Sequence, residues 1–163
     1  MTTQEIAALA QQVLLKDGVH APTVIVEGTR RATAYTLRSF PRTADGRRAA
    51  LRAVGERMAR SGGLGDLVRV FFISEGWMSL AKSGQIPPMP PSQDPERTEV
   101  LIVSGADVAE HALDVVIIEV VRDQAERITH LQKVPGLEGT QVDASPLESF
   151  INGFLGHQRK AVA

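Results

Sequence analysis

The chain has 163 residues, of which 43% are apolar and 23% charged, with a net charge of −1 and no cysteine. That length fits one domain able to bury a core without disulfides or a structural metal. The missing cysteine excludes a disulfide scaffold, thiolate zinc centres and cysteine nucleophiles. No apolar run approaches the roughly 20 residues that cross a bilayer. Met1 to Glu5 has neither the basic stretch nor the continuous apolar segment of a signal peptide. A soluble, cytoplasmic protein is the expectation. Aromatic residues make up only 4%, so the core must be built mainly from Val, Ile, Leu and Ala.

The first predicted element is a helix over 3–16. Ile6, Leu9, Ala10, Val13 and Leu14 recur at helical spacing, Thr2 or Thr3 can cap the start, and Asp17-Gly18 supplies a stop. Thr23 to Glu27 is a β-branched run typical of a strand, and residues 31–38 alternate loosely with period two after a turn at 28–30. Together they predict a hairpin. Thr43 reads as the N-cap of a second helix that runs to about Arg60, with Ala50 or Leu51, Val54 and Met58 on its apolar side. Arg48, Arg52, Glu56 and Arg60 follow one another at i+4 on the opposite face. That row reads as a solvated face in which Glu56 bridges two arginines.

A strand is expected from Leu67 to Trp77 or Met78, followed by a proline-rich loop at about 82–97. Three more strands follow, over 98–104, 113–122 and 126–134. Val115 to Ile118 is apolar on both parities, which predicts a central strand covered on both faces. Within the last strand, alternation puts Ile128, His130 and Gln132 on one face and Thr129, Leu131 and Lys133 on the other, with His130 half-buried. An irregular connection covers about 135–144. Ser145-Pro146-Leu147-Glu148 then opens a final helix with Phe150, Ile151, Phe154 and Leu155 on one side. Gly153 and Gly156 are poor helix formers, so this helix needs tertiary packing or a partner subunit. The fold class is α+β: one domain over 1–163, with a mainly antiparallel sheet of about six strands and two or three helices in the order α-β-β-α-β-β-β-β-α.

The small net charge hides a polarity. Between Arg30 and Arg60 nine arginines face only Asp45 and Glu56, a local charge of +7, whereas residues 94–163 carry −6. Such a split suits an anion-binding face or opposite-sign self-association. Arg48 and Arg52 are the residues expected to hold an anionic ligand on the second helix. A pI near 6.4, few aromatics and no recognisable module argue against nucleic acid as the partner.

Polar chemistry interrupts two apolar segments between Phe71 and Val103, and the candidate site residues lie there. Glu75, at the end of an apolar strand beside Trp77, is the candidate acid or base, since a desolvated carboxylate titrates nearer neutrality. Trp77 reads either as a lid on the core or as a binding platform. Ser92, Asp94, Glu96 and Arg97 are candidate binding residues in a turn-rich segment. Catalysis or cation binding would require Asp94, Glu96 or Glu99 to converge with Glu75. His20 precedes a strand and could reach an acid in space. No two histidines are spaced as metal ligands, no Gly-x-Ser-x-Gly elbow occurs, and no phosphate loop opens a helix, so the sequence calls for no cofactor or metal. The leading expectation is a binding or protein-interaction module that forms a homo-oligomer. An enzyme using Glu75 and an arginine-based anion binder are the alternatives.

Overall fold

A computed structural model describes residues 1–79, 91–134 and 145–162, without the side chains of Ser92 and residues 159–162. The expected connection at 135–144 and the body of the proline-rich loop at 80–90 lie outside the described residues. Among the described residues the chain forms α1 (Thr3–Asp17), β1 (Thr23–Gly28), β2 (Ala32–Thr36), α2 (Ala44–Arg60), β3 (Leu67–Met78), β4 (Thr98–Asp107), β5 (Ala112–Arg122), β6 (Ile128–Lys133) and α3 (Ser145–Val162). A single 3-10 turn covers Pro91–Gln93. The α+β class and the element order are as the sequence implies. No described helix is long and apolar enough to cross a membrane.

The helix starts follow their caps. The Thr2 hydroxyl accepts from the Glu5 amide while the Glu5 carboxylate accepts from the Thr2 amide, a complete capping box. At the other end Gly18 takes the left-handed conformation (φ 76°) and its N–H closes on the Leu14 carbonyl. Thr43 caps α2 by accepting from the Gly46 amide.

The strands form one antiparallel sheet in the order β2-β1-β3-β4-β5-β6. After the β1–β2 hairpin, α2 carries the chain back across β1, so β3 pairs on the far side. The alternation of β3 then builds two cores. Val70 and Phe72 point to α2 and α3, where Leu51, Val54, Met58, Phe150 and Phe154 meet Val24 and Val26. Phe71 and Ile73 point to α1, against Ile6, Ala10 and Leu14 together with Leu101, Val103, Val116 and Ile118. The result is one helix on one face of the sheet and two on the other.

Three expectations need correction. β5 is the penultimate strand, not a central one. Val116 and Ile118 are buried under α1, but Val115 and Ile117 are only half-buried, because α3 packs over β3 and β4 instead. The β5–β6 register slips between Val121, opposite His130, and Arg122, opposite Ile128. The slip leaves Thr129 without a facing residue and brings Ile128 to the side of Leu131, so both pack against the α1 core. His130, opposite Val121 on the face away from α1, has no described helix above it and is exposed, not half-buried. Finally, β4 runs to Asp107 and joins β5 through a tight turn in which the Asp107 carboxylate accepts from the Ala109 and Glu110 amides.

Two such turn carboxylates give the fold a defined acid limb. The Glu110 amide, with help from Arg69, holds the Asp107 carboxyl below its ordinary range. The Arg127 amide and guanidinium do the same for Asp123 in the β5–β6 turn. A carboxyl that binds its proton more weakly in the folded state contributes stability above its unfolded pKa, and loses that contribution as pH falls through its folded pKa. Stability is therefore expected to fall as pH drops below about 4. Asp107→Asn and Asp123→Asn should each flatten that limb in urea unfolding followed across pH. An unchanged slope in both variants would contradict the assignment.

Candidate functional site

Glu75, Trp77, Glu99 and Arg122 do converge. β3 and β4 pair with Glu75 opposite Leu101 and Trp77 opposite Glu99, and alternation from Phe71 and Ile73 puts these side chains on the α1 face. Arg122 of β5 donates to both carboxylate oxygens of Glu99, from Nε at 2.9 Å and Nη2 at 2.8 Å. Its Nη2 also reaches the Gly18 carbonyl at 3.0 Å, and Nη1 the Glu126 carbonyl at 3.1 Å. Glu99, through this hydrogen bonding, holds the Arg122 guanidinium pKa above its ordinary value, and Glu75 adds to the effect. The Glu75 carboxylate accepts a hydrogen bond from the His20 backbone amide. His20 itself is buried, its Nδ1 at 2.9 Å from the Ala21 carbonyl oxygen. The acid that the sequence left open for His20 is thus Glu75, met through the backbone and not the ring. These contacts tie the C-terminal end of α1 to three strands.

Trp77 is not a lid on the core: it is 47% exposed, with the Arg97 guanidinium 4.4 Å above its ring. Trp77 lies near the end of β3, beyond the reach of α1, and so has no helix to cover it. A cleft of about 550 Å³ lies here, lined by Phe40, Arg47, Glu75, Trp77, Pro91 and Glu99 among others. Ser92 lies in the 3-10 turn, and Asp94 accepts from the Glu96 amide at 2.8 Å within the turn before β4. Among the described residues no three histidine, aspartate or glutamate side chains gather as a metal-binding group.

On α2, Arg48 pairs with Asp45 one turn back. Arg52 pairs with Glu56 at 3.9 Å, and among the described residues Glu56 bridges to no second arginine. The two arginines expected to hold an anion are thus the two whose charge is locally matched.

Sequence reasoning missed a different surface. Leu9 and Val13, read as part of the apolar face of α1, are 56% and 42% exposed. The buried stripe is narrower, made of Thr3, Ile6, Ala7, Ala10 and Leu14. Leu9 and Val13 flank it on the side of β1 and wall a groove of about 420 Å³ whose floor includes Ile6, Ala10, Ile25 and Ile73. Val19, 62% exposed, closes one end. The available signal was breadth, since the apolar residues of α1 span more of its circumference than one sheet face can cover.

Protein-family models, curated proteins and solved structures offer no match to this chain.

Proposed function

We propose that the chain is a protein-interaction module that self-associates, docking the exposed ridge of α1 into the α1–β1 groove of a second copy. The observation that carries this reading is the large apolar side chains, Leu9, Val13 and Val19, left in water beside an apolar groove. Ridge and groove belong to one surface, so a two-fold axis can satisfy both at once.

Charge placement supports a second copy as the occupant. Glu5, Leu9, Gln12 and Lys16 follow at i+4, i+3 and i+4 and so form one line along the outer face of α1. An antiparallel pair of such helices sets Glu5 of one copy near Lys16 of the other at both ends. A parallel pair would oppose like charges. The adjoining sheet surface is low: Thr23, Ile25, Ala34 and Thr36 alternate to the α1 face of β1 and β2, with Ile25 at the edge of the α1 core and Ala34 and Thr36 exposed. A partner helix would complete a two-helix layer there, as α2 and α3 do on the other face.

The glycines of α3 do not contribute to this reading, because α3 meets its packing needs within the chain. Light scattering over a concentration series should give the dimer mass at high concentration. Leu9→Glu should weaken association at least about tenfold, since it buries a charge in an apolar contact. A wild-type chain that stays monomeric throughout would overturn the proposal.

A further inference from the structure

We propose that the cleft between β2 and α2 is a phosphate-binding site, taking a small phosphorylated ligand with an apolar portion. The cleft has a volume of about 630 Å³. Tyr35, Arg38 and Ser39 line it from the β2 side and Arg57 from α2, over a floor of Leu37, Ala50 and Val54. Among the described residues its lining therefore holds two guanidiniums, the hydroxyl-bearing Tyr35, Thr36 and Ser39, and no carboxylate. A carboxylate ligand has two oxygens to offer such a set, whereas a phosphomonoester presents three terminal oxygens and up to two negative charges.

Arg57 rests against Tyr35 before any ligand arrives. Its guanidinium lies 5.8 Å from the Tyr35 ring centre, with Nη1 3.5 Å from the Tyr35 hydroxyl. Among the described residues no carboxylate forms an ion pair with Arg57. The two acids of the 30–60 segment are engaged elsewhere, Asp45 with Arg48 and Glu56 with Arg52. The positive potential of the segment is thus concentrated away from those pairs. The apolar floor distinguishes this cleft from a bare basic patch, and suits a ligand in which the phosphate is esterified to a hydrophobic group.

The full chain should be titrated calorimetrically with phenyl phosphate, with inorganic phosphate as competitor. Saturable binding is expected, displaced by inorganic phosphate and weakened by added salt. Arg38→Gln and Arg57→Gln should each weaken it about tenfold or more, as the loss of a charge-assisted hydrogen bond implies. Tyr35→Phe, which keeps the ring under Arg57, should weaken it by a few-fold. Arg48→Gln made with Asp45→Asn, and Arg52→Gln made with Glu56→Gln, remove each pair whole and should change it by less than about twofold. All four arginines are substituted at the surface, and thermal unfolding of each variant checks that the fold persists. Absence of saturation would overturn the site. So would equal weakening by all four arginine variants, or an oligonucleotide that binds with equal losses in all four, since either result describes a diffuse basic face.

Discussion

Gly55→Ala is expected to destabilise the protein, and Gly156→Ala to stabilise it, although both glycines lie inside helices. Alanine at an open helical position is favoured over glycine by about 0.8–1 kcal/mol. A methyl at Gly156 would meet none of the described residues within 4 Å, so the full gain is expected. At Gly55 the new carbon would stand 2.2 Å from the Phe150 carbonyl oxygen and 3.0 Å from the Phe154 nitrogen. The reciprocal contact holds too: a carbon on Gly153 would stand 2.3 Å from the Arg52 carbonyl oxygen. The two helices cross backbone to backbone at these glycines, and neither obstacle is a side chain that can swing away. Moving α3 outward would also lift Phe150 and Phe154, which are almost wholly buried, from the core. An overpacking cost of about 1–3 kcal/mol or more therefore outweighs the propensity gain. Thermal unfolding should show Tm lowered by about 5 °C or more for Gly55→Ala and for Gly153→Ala, against a rise of about 2–4 °C for Gly156→Ala. Stabilisation by all three would mean that the helices do not meet so closely.

The second large effect is expected at Arg122. Its side chain and that of Glu99 are 16% and 17% exposed, so both charges are largely withdrawn from water. Arg122→Ala leaves the Glu99 carboxylate without its partner and frees the Gly18 and Glu126 carbonyls that the guanidinium also served. The expected loss is about 1.5–3 kcal/mol, above the value of an exposed pair, with Glu99 bordering the cleft and keeping some contact with water. Removing both charges together, as Arg122→Met with Glu99→Leu, should recover much of that loss, because no uncompensated charge is left behind. A double-mutant cycle in urea unfolding separates the two contributions. A cost below about 1 kcal/mol for Arg122→Ala would class the pair with exposed ones.

Much of the fold was legible because local signals and the final structure agree. A threonine at 2 or 3, and Thr43, marked the helix starts, and the apolar run from Leu67 placed β3 to within a residue of its end. The departures share a cause, which is that alternation and periodicity say which residues are alike but not what lies opposite them. Val115 and Ile117 are as apolar as Val116 and Ile118, yet only one pair has α1 above it. Trp77 is as hydrophobic as a lid requires, but it sits past the end of the covering helix. The slip at Val121 and Arg122 depends on a turn in which Glu126 adopts a positive φ and Asp123 binds the Ala125 and Arg127 amides. Nothing in the strand itself signals it. The arginine row on α2 was visible in the sequence. That Asp45 pairs with Arg48 and Glu56 with Arg52 is local to α2, whereas bringing Arg38 and Arg57 to one cleft depends on the hairpin folding back over that helix.

The proposed antiparallel pairing of α1 is most directly tested by a cysteine introduced at Gln12, since the native chain has none. Gln12 lies between Leu9 and Lys16 on the exposed ridge, close to where a two-fold axis would pass. Ala53, exposed on α2 on the opposite face of the sheet, is the control. Under mild oxidation, at a concentration where light scattering shows the dimer, Gln12→Cys should form disulfide-linked dimers rapidly, while Ala53→Cys should not. Slow cross-linking of both at equal, concentration-limited rates, or faster cross-linking at residue 53, would contradict self-association through α1.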